Sequence, residues 1–147
     1  MPRIVVIAGG GRNVGKTRLA EGIGEILPDC AVVKLGVHHA RPEKNLLYFE
    51  RGTPYSVIAK ETSDRSCLVI ESGAILDDPD LVPDLVFFLP APGGDKEGSE
   101  ARRARADLVR GETIDDADVD FVARRLGIDR ARAMEIVEAV ADTGDKR

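Results

Sequence analysis

The residues best suited to chemistry form a glycine-rich run near the start of the chain, which satisfies G-x-x-x-x-G-K-[ST] in full. Its members are Gly10, Gly11, Arg12, Asn13, Val14, Gly15, Lys16 and Thr17, with Arg18 directly after them. Glycines let successive backbone N–H groups converge on phosphate oxygens, and a helix beginning at about Lys16 directs its positive end to the same place. Lys16 adds a mobile charge for the β and γ phosphates, and Thr17 offers a hydroxyl to Mg²⁺. The run therefore predicts a nucleoside triphosphate site with Mg²⁺.

Further candidates lie at the ends of two other apolar runs. Glu71 ends the run Cys67–Glu71, and an acid at such a strand end commonly helps to hold Mg²⁺ beside a phosphate loop. We therefore expect Glu71 to share the metal with Thr17 and to act with Lys16 in any catalysis; otherwise it is a strand-end acid facing solvent. Lys34 lies near the end of another apolar run, Ala31–Leu35, which is expected to form a strand beside the first one. Its side chain either reaches phosphate or only extends over the edge of the sheet.

The two histidines of the chain, His38 and His39, follow Lys34 in a polar stretch. A loop beyond the carboxyl end of a strand is where open α/β sheets bind ligands. We expect His39 to line the site with Lys34, the alternative being a surface position for both histidines. Adjacent histidines are a poor arrangement for one metal ion, so no metal site is predicted there.

Hydrophobic patterning predicts the elements that must position these residues. The predicted strands are Arg3–Ala8, Ala31–Leu35, Tyr55–Lys60, Cys67–Glu71, Asp84–Leu89 and a weak edge strand, Ala106–Arg110. The predicted helices are Thr17–Leu27, Leu46–Gly52 and Ser99–Ala106, with loops at 36–45, 76–83 and 90–98. Alternating strands and helices favour an α/β, Rossmann-like, three-layer fold with a mostly parallel sheet.

The pattern changes at Asp115, after which helical periodicity replaces strand character. Two short amphipathic helices are predicted, separated by Gly127, with Asp129 as the N-cap of the second. We expect a nucleotide-binding domain at 1–111 and a C-terminal helical appendage at 112–147, packed on or beside it and dispensable for the site. The alternative is that apolar side chains of the tail complete the core.

Composition limits the partners. The 147 residues include 21 bases and 26 acids, for a net charge of −5, which argues against nucleic acid and anionic membranes as partners. The first apolar run is too short for a transmembrane helix, and no signal peptide is recognisable. Cys30 and Cys67 are isolated in sequence, which favours two buried thiols over a zinc site. These features predict a cytoplasmic protein.

Together, the loop Gly10–Thr17, the strand end at Lys34 with His38 and His39, and the run that ends in Glu71 resemble the MobB-type family. Its members are adaptor proteins of molybdopterin-guanine dinucleotide biosynthesis. The resemblance implies a P-loop NTPase fold of the dethiobiotin-synthetase-like class. It implies a homodimer that binds GTP with Mg²⁺, hydrolyses it weakly at most, and assists a molybdenum cofactor nucleotidyltransferase or target enzyme.

Other functions remain compatible with the same residues. A small-molecule kinase or an ATP-dependent ligase would use the same phosphate loop, with arginines closing over the phosphates. Arg102, Arg103 and Arg105 are the clustered candidates for that role. A regulatory module that acts through its helical tail is a third hypothesis. The residues do not decide between GTP and ATP, although Pro90–Lys96 is where base contacts are expected.

Overall fold

The sheet is built around the apolar run that precedes the phosphate loop. In the computed structural model, which describes residues 2–11, 14–36 and 46–141, strand β1 covers Arg3–Gly9 and is buried from Ile4 onward. It pairs in parallel with β4 (Cys67–Glu71) on one side and with β5 (Leu85–Leu89) on the other. A strand with neighbours on both edges and both faces covered needs apolar side chains throughout, which explains the unbroken run.

Within the described residues the sheet has six strands, all parallel, in the order β3-β2-β4-β1-β5-β6. The remaining strands are β2 (Cys30–Leu35), β3 (Leu46–Phe49) and β6 (Leu108–Val109). The helices are α1 (Lys16–Ile26), α2 (Tyr55–Glu61), α3 (Glu100–Ala104), α4 (Asp116–Leu126), α5 (Arg130–Ala141) and a 3₁₀ turn at Ala74–Asp77. The predicted α/β class is confirmed, and the sheet is wholly rather than mostly parallel over these strands.

Two hydrophobic clusters lie on opposite faces of the sheet and make the fold three-layered. Alternate residues such as Val5 and Ile7 of β1 pack with α1, α4 and α5 on what we call the first face. Their neighbours, such as Val6 and Ala8, pack with Ile58 of α2 and with the 3₁₀ turn on the second face. The period of two along each strand thus separates the two cores.

The C-terminal helical pair belongs to the first of these cores. Its buried apolar side chains are Val119, Val122, Leu126, Ala133, Ile136, Val137 and Val140. A capping box between Asp115 and Asp118 begins α4, and Gly127 ends it in the left-handed conformation with φ 66°. The Asp129 carboxylate accepts the N–H of Arg132 at 2.8 Å, as expected of the predicted N-cap. The two predicted helices are confirmed, while the domain division at 111/112 stays a prediction.

Two predicted elements are wrong. The expected helix Leu46–Gly52 is strand β3, which pairs with β2 through Leu46–Phe49. The expected strand Tyr55–Lys60 is helix α2. The N–H of its first residue, Tyr55, donates at 2.7 Å to the carboxylate of Asp78, which is distant in sequence. Both runs are too short for periodicity to decide, and their tertiary partners determined the outcome. Most of the predicted loop at 36–45 lies outside the described residues.

The order of strands also corrects one placement. β2 was expected beside the strand of the phosphate loop, but β4 lies between them.

The same arrangement brings Cys30 and Cys67, the first residues of β2 and β4, into register with their Sγ atoms 3.4 Å apart. The thiols isolated in sequence are therefore neighbours, and the hydrogen bond between them, with burial, raises the pKa of Cys30 far above its usual value.

Candidate functional site

The turn from β1 into α1 has the backbone features of an anion site. Gly15 occupies the N-cap of α1 with φ 94°, a left-handed conformation that residues with a Cβ rarely adopt. Because glycine has no side chain to cap the helix, the first N–H groups of α1 remain available to a ligand. The helix end also carries partial positive charge. Both features favour a phosphate at this position.

The segment after β5 supports the first part of the loop. The N–H of Gly10 donates to the carbonyl of Leu89 at 3.0 Å, and its carbonyl accepts the N–H of Lys96 at 2.7 Å. A Cβ at Gly10 would collide with the side chain of Asp95, which would have to move. The predicted loop at 90–98 is thus hydrogen-bonded to the start of the phosphate loop, although 92–98 are exposed.

Lys16 lies over its own loop. Its Nζ atom donates to the carbonyl of Gly11 at 3.3 Å. Burial lowers the pKa of Lys16 below its usual value of 10.5; the carboxylate of Glu71 opposes this, while Lys96, Lys34 and Arg102 add to it. The ammonium group is thus partly desolvated and lies near one carboxylate and three other cations, whose charge a phosphate would help to compensate.

Three side chains from separate elements meet next to Lys16. The Thr17 hydroxyl donates to Oε1 of Glu71 at 2.7 Å, and Nζ of Lys34 donates to the Thr17 hydroxyl at 3.1 Å. Lys34 Nζ is 3.9 Å from Oε2 of Glu71, whose side chain is only 7% exposed. The register pairs Lys34 directly with Glu71 across β2 and β4. The structure therefore brings together Thr17, Lys34 and Glu71, and we call them the threonine–glutamate–lysine cluster.

The oxygen atoms of this cluster are suited to hold Mg²⁺ beside a phosphate group. The Thr17 hydroxyl and the Glu71 carboxylate are hard oxygen donors within hydrogen-bonding distance of each other. Among the described residues no group of three or more His, Cys, Asp or Glu side chains could enclose a metal. Mg²⁺ does not require one, because it keeps several waters and takes its other ligands from substrate phosphates.

These groups line a cleft of about 1580 Å³ at the carboxyl edge of the sheet. The phosphate loop contributes Gly9 and 14–18, including the exposed Arg18. The lining also contains Asp77, Asp78 and Asp80, and the carboxylate of Asp78 accepts the N–H groups of Tyr55 and Asp80 at 2.7 and 2.9 Å. Those two hydrogen bonds lower the pKa of Asp78 and so favour its charged form.

Two further cations, Lys96 and Arg102, line this cleft. The sequence offered Arg102 only for the kinase alternative, and Lys96 only as the end of the segment Pro90–Lys96 where base contacts are expected. Arg102 lies 3.9 Å from Asp77 and packs over Gly73, which follows Glu71 by two positions. Arg103 and Arg105 are not part of the lining; Arg103 pairs with Asp95 and Glu112, and Arg105 pairs with Asp77.

The remaining sequence candidates are placed less directly. Gly11 contacts the site through its carbonyl, whereas Arg12, Asn13, His38 and His39 lie outside the described residues.

Comparisons with protein families, with curated proteins and with solved structures find no match for this chain. Over the described residues, no helix has the length and apolar character needed to cross a membrane.

Proposed function

We propose that this chain is a P-loop protein that binds a nucleoside triphosphate with Mg²⁺. The observation that carries the proposal is the threonine–glutamate–lysine cluster directly behind the loop Gly10–Thr17. A glycine-rich turn with an incidental Lys-Thr pair has no reason to place the threonine hydroxyl 2.7 Å from a buried carboxylate of the neighbouring strand. A magnesium-bound phosphate explains both the hydroxyl and the carboxylate.

Each residue then has a defined role. The N–H groups at the start of α1 bind phosphate oxygens, and Lys16 moves from the carbonyl of Gly11 to the β and γ phosphates. Thr17 binds Mg²⁺ directly, while Glu71 binds it or accepts hydrogen bonds from its waters. Lys34 contacts the same two side chains, so its ammonium group moves aside or neutralises phosphate charge when the metal binds.

The resemblance to the MobB-type family supports GTP as the nucleotide and an accessory role in the cytoplasm. In that role a homodimer serves a molybdenum cofactor nucleotidyltransferase or its target, with weak hydrolysis at most. The runner-up is a small-molecule kinase or ATP-dependent ligase. Arg102 favours this alternative, because it extends into the same cleft as Lys16, where a phosphoryl-transfer enzyme requires a cation.

Titration with fluorescent GTP and ATP analogues, each with Mg²⁺ and with EDTA, tests the proposal. We expect Lys16→Ala to weaken binding by about 100-fold, because charge-assisted hydrogen bonds to phosphate are lost. Glu71→Gln should weaken binding only when Mg²⁺ is present. Lys60→Ala is the matched control, since Lys60 is exposed on α2 away from the cleft lining. Equal affinities of the wild type and Lys16→Ala would refute the site, and preference for ATP would favour the kinase.

A further inference from the structure

Arg110 joins the phosphate loop to the end of the last helix. Its Nη1 atom donates to the carbonyl of Val14 at 3.2 Å. On the other side of the guanidinium, Nε donates to the carbonyl of Val140 at 2.6 Å and Nη2 to that of Ala139 at 3.1 Å. Val14 precedes Arg110 by 96 residues, and Val140 follows it by 30. Three segments distant in sequence therefore meet on one half-buried side chain.

The geometry suits an arginine and no other residue. The two carbonyls of α5 belong to its last turn, where backbone oxygens lack partners within the helix. A planar guanidinium with five N–H donors can satisfy them and still donate in another direction, whereas a lysine provides a single point of donation. The main chain of Arg110 is itself fixed, because its N–H donates to the carbonyl of Phe88 at 3.0 Å, just beyond β6.

The contact with Val14 also orients the loop. In a trans peptide the carbonyl and the following N–H point in opposite directions. When Arg110 holds the carbonyl of Val14, the N–H of Gly15 points away from the guanidinium. Gly15 and Lys16 line the cleft, so the orientation of this peptide determines which donors a phosphate meets.

We infer that Arg110 is a positioning residue for the phosphate loop and couples the loop to the C-terminal end of α5. This inference rests on the proposed function, because it assigns Arg110 its role at the phosphate site. Coupling is reciprocal: if the end of α5 stabilises the binding conformation of the loop, then nucleotide binding stabilises the end of α5. Whatever displaces the end of α5 also changes the affinity for nucleotide.

Hydrogen exchange and nucleotide titration of the full chain test the inference. The variants are Arg110→Lys and the control Arg125→Lys. Arg125 also ties the helical pair to the sheet, with Nε donating to the carbonyl of Asp84 at 2.9 Å, but this hydrogen bond does not involve the phosphate loop. Loss of a charged hydrogen bond in Arg110→Lys should weaken triphosphate binding about tenfold. Without nucleotide, the amide of Leu19, which within 15–19 donates to the carbonyl of Gly15, should exchange faster in this variant and at the wild-type rate in Arg125→Lys.

A second test begins with the wild type, so its first result does not depend on whether a variant folds. Added triphosphate should slow exchange at 136–141, and Arg110→Lys should abolish that protection. Equal effects of the two substitutions, or no protection at 136–141 in the wild type with nucleotide bound, would overturn the inference. If the wild type binds no nucleotide, the proposed function fails, and exchange at Leu19 without ligand still decides whether Arg110 holds the loop.

Discussion

The two faces of the sheet are covered in very different ways. On the first face lie α1, α4 and α5, which have 11, 11 and 12 residues. Within the described residues the second face is covered by α2, with 7 residues, by a 3₁₀ turn of 4 residues and by loop residues. Helix α1, which follows the glycine-rich loop, belongs to the first face, whereas the 3₁₀ turn and the loop after it carry the acidic residues Asp77, Asp78 and Asp80 of the cleft lining. The cleft is thus lined by elements from both faces.

Removal of the helical pair should have the largest effect. We expect a chain ending at Gly111 to aggregate, because α1 and the first face would lose the apolar side chains of α4 and α5 that cover them. Circular dichroism and size-exclusion chromatography of the truncated chain provide the measurement. A soluble, folded product that binds nucleotide as the full chain does would instead support the dispensable appendage.

Two matched substitutions compare the faces directly. Ile23 of α1 and Ile58 of α2 are both isoleucines with 0% exposure, on the first and second faces respectively. Replacing either with alanine should lower the free energy of unfolding by about 2–5 kcal/mol. Ile23→Ala should cost more, because α1 packs against both the sheet and α5. Urea unfolding of both variants measures the difference, and the reverse order would show that Ile58 contributes more to stability than Ile23 does.

We expect a smaller effect from the pH dependence of nucleotide binding, which involves Lys16 at the start of α1 on the first face. The pKa of Lys16 is lowered in the folded protein, so the free protein loses this charge at a lower pH than an ordinary lysine does. A bound phosphate favours the protonated form, so affinity should fall as pH rises through the lowered pKa, below 10.5. Stability has the opposite sign: the penalty for charging buried Lys16 is complete below the lowered pKa and disappears as pH approaches 10.5.

Nucleotide titrations across the alkaline range measure this dependence. Lys16→Arg is the control, because its guanidinium does not titrate in that range. A similar decline in affinity for both proteins would assign the titration to another group.

Local sequence predicted the long elements well and two of the short elements wrongly, for a physical reason. Long, periodic elements such as α1, and the double-sided burial of β1, leave a clear pattern in sequence. The segments that became β3 and α2 are short, and α2 begins where the distant Asp78 accepts the N–H of Tyr55. Pro54 before α2 was the local signal for a helix start that could have been used.

The site shows the same division. The motif pointed to Lys16 and Thr17, and a strand end pointed to Glu71, because both signals are local patterns along the chain. Arg110 could not be found in this way, since its partners Val14 and Val140 come together only in the folded protein. The positions of Lys96 and Arg102 at the cleft likewise depend on the fold.

The most direct test of the central claim is an NMR titration of the ¹⁵N-labelled protein with GTP and Mg²⁺, repeated with ATP. The account predicts that the largest amide shifts occur at Gly15, Lys16 and Thr17, because their N–H groups bind phosphate. It also predicts that Lys16→Ala removes these shifts while the remaining spectrum keeps its folded dispersion. Shifts confined to other parts of the chain, or none with either nucleotide, would contradict the account.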